Sequence, residues 1–196
     1  SAMNTPTYDE LTTHFTRLHH YAHLGSIVSW DRAANMPPKG NDARASAMAE
    51  LAALMHRLRT EPSLSDRIAR AEQEPLSDHQ RANLREIRRE WLQATALPES
   101  LVTRQELATS RCEHAWRSQR PANDWKGFLE NFREVVKLAR QEAQLLADDT
   151  GLTRYDALMD RFEPGVRAAD IDRIFGDVKT WLPGLIARAQ TKQSTE

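Results

Sequence analysis

The chain has 196 residues, enough to bury a core without disulfide or metal staples. Its 27 basic and 28 acidic side chains nearly cancel, which excludes a global field drawing in nucleic acid or an anionic membrane. A single cysteine, Cys112, excludes an intrachain disulfide and is expected as a buried structural thiol.

Seven glycines are few for this length, and alanine and leucine far outnumber valine and isoleucine, a balance that favours helix over sheet. No apolar run approaches the roughly 18 residues that span a bilayer, and no signal-peptide core opens the chain, so a cytoplasmic location without membrane contact is expected. Ser1-Ala2 ahead of Met3 reads as a cloning remnant and is set aside.

Thr7 and Glu10 have the T-x-x-E spacing of a capping box, with Pro6 just ahead, and predict the start of a first helix. Leu11, Phe15, Leu18 and Ala22 then form an apolar stripe, and the helix should end near Asn35, where Met36-Pro37-Pro38-Lys39-Gly40 makes a rigid turn. Asn41 or Asp42 is positioned to cap a second helix with the stripe Met48, Leu51, Ala52, Met55 and Leu58, stopped by Glu61-Pro62-Ser63. A short helix from about Leu64 to Glu72 follows, and Ser77 with Gln80 forms another capping box ahead of Leu84, Ile87 and Trp91. The basic stretch Arg81 to Arg89 includes Glu86 and adjoins Glu90, the pattern of a solvated helix face rather than a nucleic-acid patch.

Pro98 resets the chain, and Leu101, Ala108, Cys112 and Ala115 mark a further apolar face that Pro121 ends. From Asn123 or Asp124 to about Ala147 runs the longest amphipathic segment, carrying Trp125, Phe128, Leu129, Phe132, Val135, Val136 and Ala139, with Gly151 as its stop. A short helix from Tyr155 to Phe162 should end at Glu163-Pro164-Gly165. A last one carries Ile171, Ile174, Phe175, Val178, Leu182 and Leu185, with a kink expected at Pro183. No strand pattern and no repeat of fixed period appears. The expectation is an all-α fold of about eight helices in a globular array. Residues 3–188 would form one domain, and the 189–196 tail, without apolar period, would be frayed or cut from a longer polypeptide.

A catalytic zinc site needs three protein ligands and an open position, and its compact signature, H-E-x-x-H, is absent. His19 and His23 stand one helical turn apart and could share a metal, but two ligands are not a site, so they read first as polar-flank histidines. There is no G-x-S-x-G elbow and no phosphate-binding glycine loop, and Asp148-Asp149 reads as a solvated helix end.

Two segments nevertheless carry a likeness. Trp30-Asp31 is followed, after four residues, by Met36-Pro37-Pro38-Lys39-Gly40, then Arg44-Ala45, Leu51, Leu54 and His56. Tyr155-Asp156-Ala157-Leu158-Met159-Asp160 is followed, after two, by Glu163-Pro164-Gly165. With Asn123-Asp124-Trp125 and the helix between them, these resemble, in order and over nearly the whole chain, the amino-terminal part of the carboxypeptidase Taq family of zinc metallocarboxypeptidases.

The resemblance implies part of a larger helical peptidase that removes carboxy-terminal residues from peptides and works as a homodimer. In such enzymes two histidines of H-E-x-x-H and a later glutamate hold zinc, while the motif's own glutamate activates water. No position here matches them, so no catalytic or metal residue is carried over. Zinc is expected in the full-length enzyme and not in this chain, whose partner is the missing carboxy-terminal catalytic part.

Trp30, Asp31, Met36, Pro37, Tyr155, Asp156, Glu163 and Gly165 are candidates for lining the substrate cleft. Each also has a structural alternative: Trp30 as core anchor, Asp31 as helix-end acceptor, Met36 as gap filler, Glu163-Pro164-Gly165 as helix punctuation. The resulting expectation is a helical wall or cap over the cleft, inactive alone. Two other classes remain open: a standalone helical interaction module on a peptidase-like scaffold, and a small metalloprotein built on His19 and His23.

Overall fold

The computed structural model describes residues 4–195; Ser1-Ala2-Met3 and Glu196 lie outside them. Among the described residues there are eight α-helices, one short 3-10 turn and no strand. They are α1 (Pro6–Ala34), α2 (Asn41–Arg59), α3 (Leu64–Glu72), α4 (Asp78–Thr95), α5 (Glu99–Gln119), α6 (Trp125–Thr150), α7 (Arg154–Met159) and α8 (Ala168–Gln193), with the 3-10 turn at Pro38–Gly40. Contacts divide the chain into two compact units, Ser1–Leu145 and Leu146–Glu196.

In the first unit, Tyr8, Leu11, Phe15 and Leu18 of α1, Leu64, Ile68 and Ala71 of α3, Leu76, and Leu84 and Ile87 of α4 form one core, with Met55, Leu58 and Trp91 packed against it. Each fully buried leucine or isoleucine contributes roughly 1.5–3 kcal/mol by leaving water. The stripe on α1 stops at Leu18, since Ala22 is exposed.

The expected Thr7/Glu10 capping box does not form. Pro6 is already the first helical residue, so Thr7 lies inside the helix and its side chain cannot cap. The orphan N–H groups of Thr7 and Tyr8 donate instead to the Glu74 carboxylate, at 3.1 and 2.7 Å. A carboxylate at the positive end of the helix dipole satisfies both donors.

Helix α2 corrects the sequence reading further. Gly40 occupies its cap position, no side chain caps it, and Asn41 is its buried first residue. Its buried line is Ala45, Ala49, Ala53 and His56, and α2 packs most extensively against α5, where small side chains permit close backbone approach. Met48 and Leu51 lie instead near Gly25 of α1, whose added Cβ would meet them at 4.0 and 3.5 Å. The Ser77/Gln80 capping box on α4 forms as the sequence predicts, with Gln80 N–H to Ser77 Oγ at 3.2 Å and Ser77 N–H to Gln80 Oε1 at 2.9 Å. Leu101 and Ala108 of α5 and Leu138 of α6 form a second cluster with Leu97, Val135 and Leu145. Cys112 is a buried free thiol, and burial raises its pKa.

In the second unit, Gly151 ends α6 with φ +74° and its N–H on the Ala147 carbonyl at 2.8 Å, the left-handed stop its position predicts. Helix α7 is shorter than expected, ending at Met159 rather than Phe162. Helix α8 runs without interruption through Pro183 to Gln193, so residues 189–193 are helical where the apolar period had suggested fraying. None of its side chains is buried, and Ile174, Phe175, Trp181, Leu182, Leu185 and Ile186 are all exposed.

Candidate functional site

The first motif is a polar corner between α1 and α2. The Asp31 carbonyl accepts the N–H groups of Asn35 and Met36 at 2.8 and 3.0 Å, which ends α1, while its carboxylate meets Arg44 Nη1 at 2.7 Å. Arg44 also reaches the Val28 carbonyl at 3.4 Å. Asp31 is therefore the helix-end acceptor. Trp30 is not a core anchor, because it is 65% exposed. Met36 is half-buried and folds over Gly40, where an added Cβ would lie 3.3 Å from Met36 Cγ, and Pro37 is exposed.

The second motif is a polar staple between α7 and α8. Thr153 caps α7, its hydroxyl accepting the Asp156 N–H at 3.2 Å. Asp156 Oδ1 accepts the Ala168 N–H at 2.8 Å and so caps α8. One turn on, Asp160 Oδ1 accepts the Gly165 N–H and Arg167 Nη1, both at 2.9 Å. Gly165 has φ +86°, a left-handed turn position that disfavours a Cβ. Tyr155, Phe162 and Glu163 project outward, Tyr155 being 68% and Phe162 82% exposed. The two motifs lie in different compact units.

Sequence reasoning missed a buried polar junction one residue beyond Asp31. Arg32 sends Nη1 to Ser110 Oγ at 3.0 Å and Nη2 to Glu113 Oε2 at 2.8 Å, with Glu106 Oε1 at 3.9 Å. Ser110 is wholly buried, and Arg32 Nε is buried without a partner. Nothing local signals this junction, because its partners are 74 to 81 positions away by the numbering. His56 was visible only as a motif letter. Burial lowers its pKa, opposed by Glu99, reinforced by Arg59 and opposed by a hydrogen bond to the Leu97 carbonyl.

A profile of the carboxypeptidase Taq (M32) metallopeptidases matches residues 10–196. The chain belongs to this family. It is 36% identical over 179 residues to thermostable carboxypeptidase 1 of Thermus thermophilus, covering 85% of this chain and 35% of that protein. It is 28% identical over 170 residues to thermostable carboxypeptidase 1 of Pyrococcus furiosus, covering 86% of this chain and 34% of that protein. Among solved structures, Trypanosoma cruzi metallocarboxypeptidase 1 superposes with a TM-score of 0.80 at 41% identity, over 98% of this chain and 39% of that one. This M32 chain thus spans about a third of the length of the curated relatives it matches.

A metallopeptidase family implies a metal, and the donors present here do not fit one. His19 and His23 are exposed on α1, and among the described residues no group of three or more His, Cys, Asp or Glu side chains is placed to hold a metal ion. Asp31, Asp156 and Asp160 of the two family motifs spend their carboxylates on backbone N–H groups and arginines instead. No described helix is long and apolar enough to cross a membrane.

Proposed function

We propose that this chain is the amino-terminal helical wall and cap of a zinc-dependent metallocarboxypeptidase, shaping access to a cleft whose chemistry is performed by the rest of such a protein. The observation that carries this reading is the span: nearly all of this chain matches only about a third of each carboxypeptidase relative, and that third lacks convergent metal donors among its described residues.

Zinc with an open coordination position supplies an activated water and a polarised carbonyl. The role of this chain is to exclude bulk water and restrict long or folded substrates, the work of a lid or wall. Of the motif residues, Trp30, Pro37, Tyr155 and Glu163 are exposed and free to line a peptide cleft. Asp31, Asp156 and Gly165 hold the backbone that presents them. The same reading includes a cytoplasmic homodimer when full-length, and one domain over residues 3–188, for which calorimetry should give a single unfolding transition.

The purified chain, incubated with zinc or cobalt and amino-blocked dipeptides, is expected to release no carboxy-terminal amino acid. Turnover proportional to the concentration of this chain would overturn the reading. Sequencing the coding region past Glu196 separates it from a standalone interaction module, since continuation into H-E-x-x-H is expected and an immediate stop codon would favour the module.

A further inference from the structure

Helix α6 has two working faces. Val135, Leu138 and Leu145 pack into the second core cluster. Leu138 is nine positions from Leu129, about half a turn round a helix of 3.6 residues per turn, so Leu129 looks the opposite way. On that opposite side Leu129, Phe132, Arg133, Val136, Lys137 and Arg140 line an open groove of about 400 Å³. An aromatic ladder extends it toward the amino terminus, with Phe132 stacked on Phe128 at 5.1 Å between ring centroids and Trp125 tilted against Phe128 at 5.5 Å.

Some cations of this unit are held by carboxylates and others, those along the groove among them, are not. Arg32, Arg44, Arg59 and Arg67 are each bound to a carboxylate. Arg133 and Arg140 are exposed and have no hydrogen bond or ion pair among the described residues. Lys137 reaches only Glu134 at 3.9 Å, and Glu134 is shared with Arg104. An apolar floor edged by cations without tight carboxylate partners is complementary to a ligand that is apolar and anionic together.

We propose that this groove binds a short peptide segment in which acidic and apolar residues alternate, its carboxylates on Arg133, Lys137 and Arg140 and its apolar side chains over Leu129, Phe132 and Val136. The spacing selects a peptide over a lipid. Arg133 and Lys137 stand about 6 Å apart along the helix, close to the roughly 6.7 Å between alternate residues of an extended peptide, so two successive carboxylates meet two cations, with Arg140 about 4.5 Å further along. A single headgroup satisfies one of the three, and the open groove encloses no acyl chain.

The proposal rests on α6 alone and is independent of the peptidase reading, so its test uses an amidated peptide with no free carboxy terminus to hydrolyse. A fluorescein-labelled peptide alternating glutamate and leucine is titrated with the purified chain and followed by anisotropy. Saturable binding is expected, weakened about tenfold or more by the double variant R133A/R140A and by replacing the peptide's glutamates with glutamine. Arg85→Ala, at an exposed arginine on α4, leaves it unchanged. Circular dichroism verifies that each variant folds. Absence of saturable binding, or equal binding by R133A/R140A, overturns the proposal. So does tighter, arginine-dependent binding of oleate or oligothymidylate, or a self-association that R133A/R140A abolishes. Those outcomes would give the groove to a lipid, a nucleic acid or a second copy.

Discussion

The Glu74 carboxylate, in the loop after α3, accepts the Tyr8 N–H at 2.7 Å and the Thr7 N–H at 3.1 Å. This one side chain therefore caps α1 and ties its first turn to α3. Glu74→Ala is expected to lower stability by about 1–2 kcal/mol, the cost of a lost charged cap, with Glu74→Gln less harmful. Thr7→Ala is expected to stay within about 0.5 kcal/mol, because the threonine side chain has no capping role. Urea unfolding measures all three, and a Glu74→Ala variant as stable as the parent would show that water replaces the carboxylate at no cost.

The Asp31–Arg44 pair is partly buried, its side chains 37% and 26% exposed, whereas Asp66–Arg70 on α3 is 75% and 59% exposed. A double-mutant cycle with alanine at Asp31 and Arg44 is expected to give a coupling of about 0.5–1 kcal/mol. The same cycle at Asp66 and Arg70 should give less than about 0.5 kcal/mol, because water screens it. Equal couplings at the two sites would deny the corner between α1 and α2 any special role.

Stability should depend on pH through His56. Burial lowers its pKa in the fold, so the folded state holds the imidazole neutral more strongly than the unfolded chain does. Its contribution is fully present above the unfolded value of about 6.5 and is lost as pH falls through that value toward the lower folded one. Urea midpoints are expected to decline across this window in the parent and less steeply in His56→Gln. A folded-state His56 titration by NMR at or above about 6.5 would contradict this.

In the second unit two of the acidic motif residues, Asp156 and Glu163, should separate by role. Asp156→Ala removes the cap on Ala168 and is expected to destabilise the first turn of α8 by about 1 kcal/mol, read as faster hydrogen exchange there. Glu163→Ala, at an exposed side chain, should leave that exchange unchanged. The reverse pattern would mean that Glu163, not Asp156, organises the turn.

Much of this fold is local and could be read along the chain. The Pro37-Pro38 turn, the Ser77/Gln80 box, the exact extent of α3 and the Gly151 stop involve residues a few positions apart, so backbone sterics and hydrogen-bond reach decide them in place. The Thr7/Glu10 box had the same local pattern and did not form, because Pro6 begins the helix earlier and Glu74 reaches the freed donors through space. The buried face of α2 was misjudged for a related reason. Hydrophobicity ranked Met48 and Leu51 above Ala49 and Ala53, but close approach to α5 selects small side chains.

By itself the sequence determined an all-helical chain, the order and punctuation of its helices, its likeness to the M32 carboxypeptidases and its lack of an H-E-x-x-H motif. Only the tertiary structure decided what the motif residues do: Asp31 and Asp156 are tied to an arginine and to a helix terminus, Trp30 and Tyr155 are left facing outward, and Arg32 is drawn into a buried junction with α5. Propensity and capping act between neighbours along the chain, whereas a side chain's partner and its burial depend on which distant segment the core brings beside it.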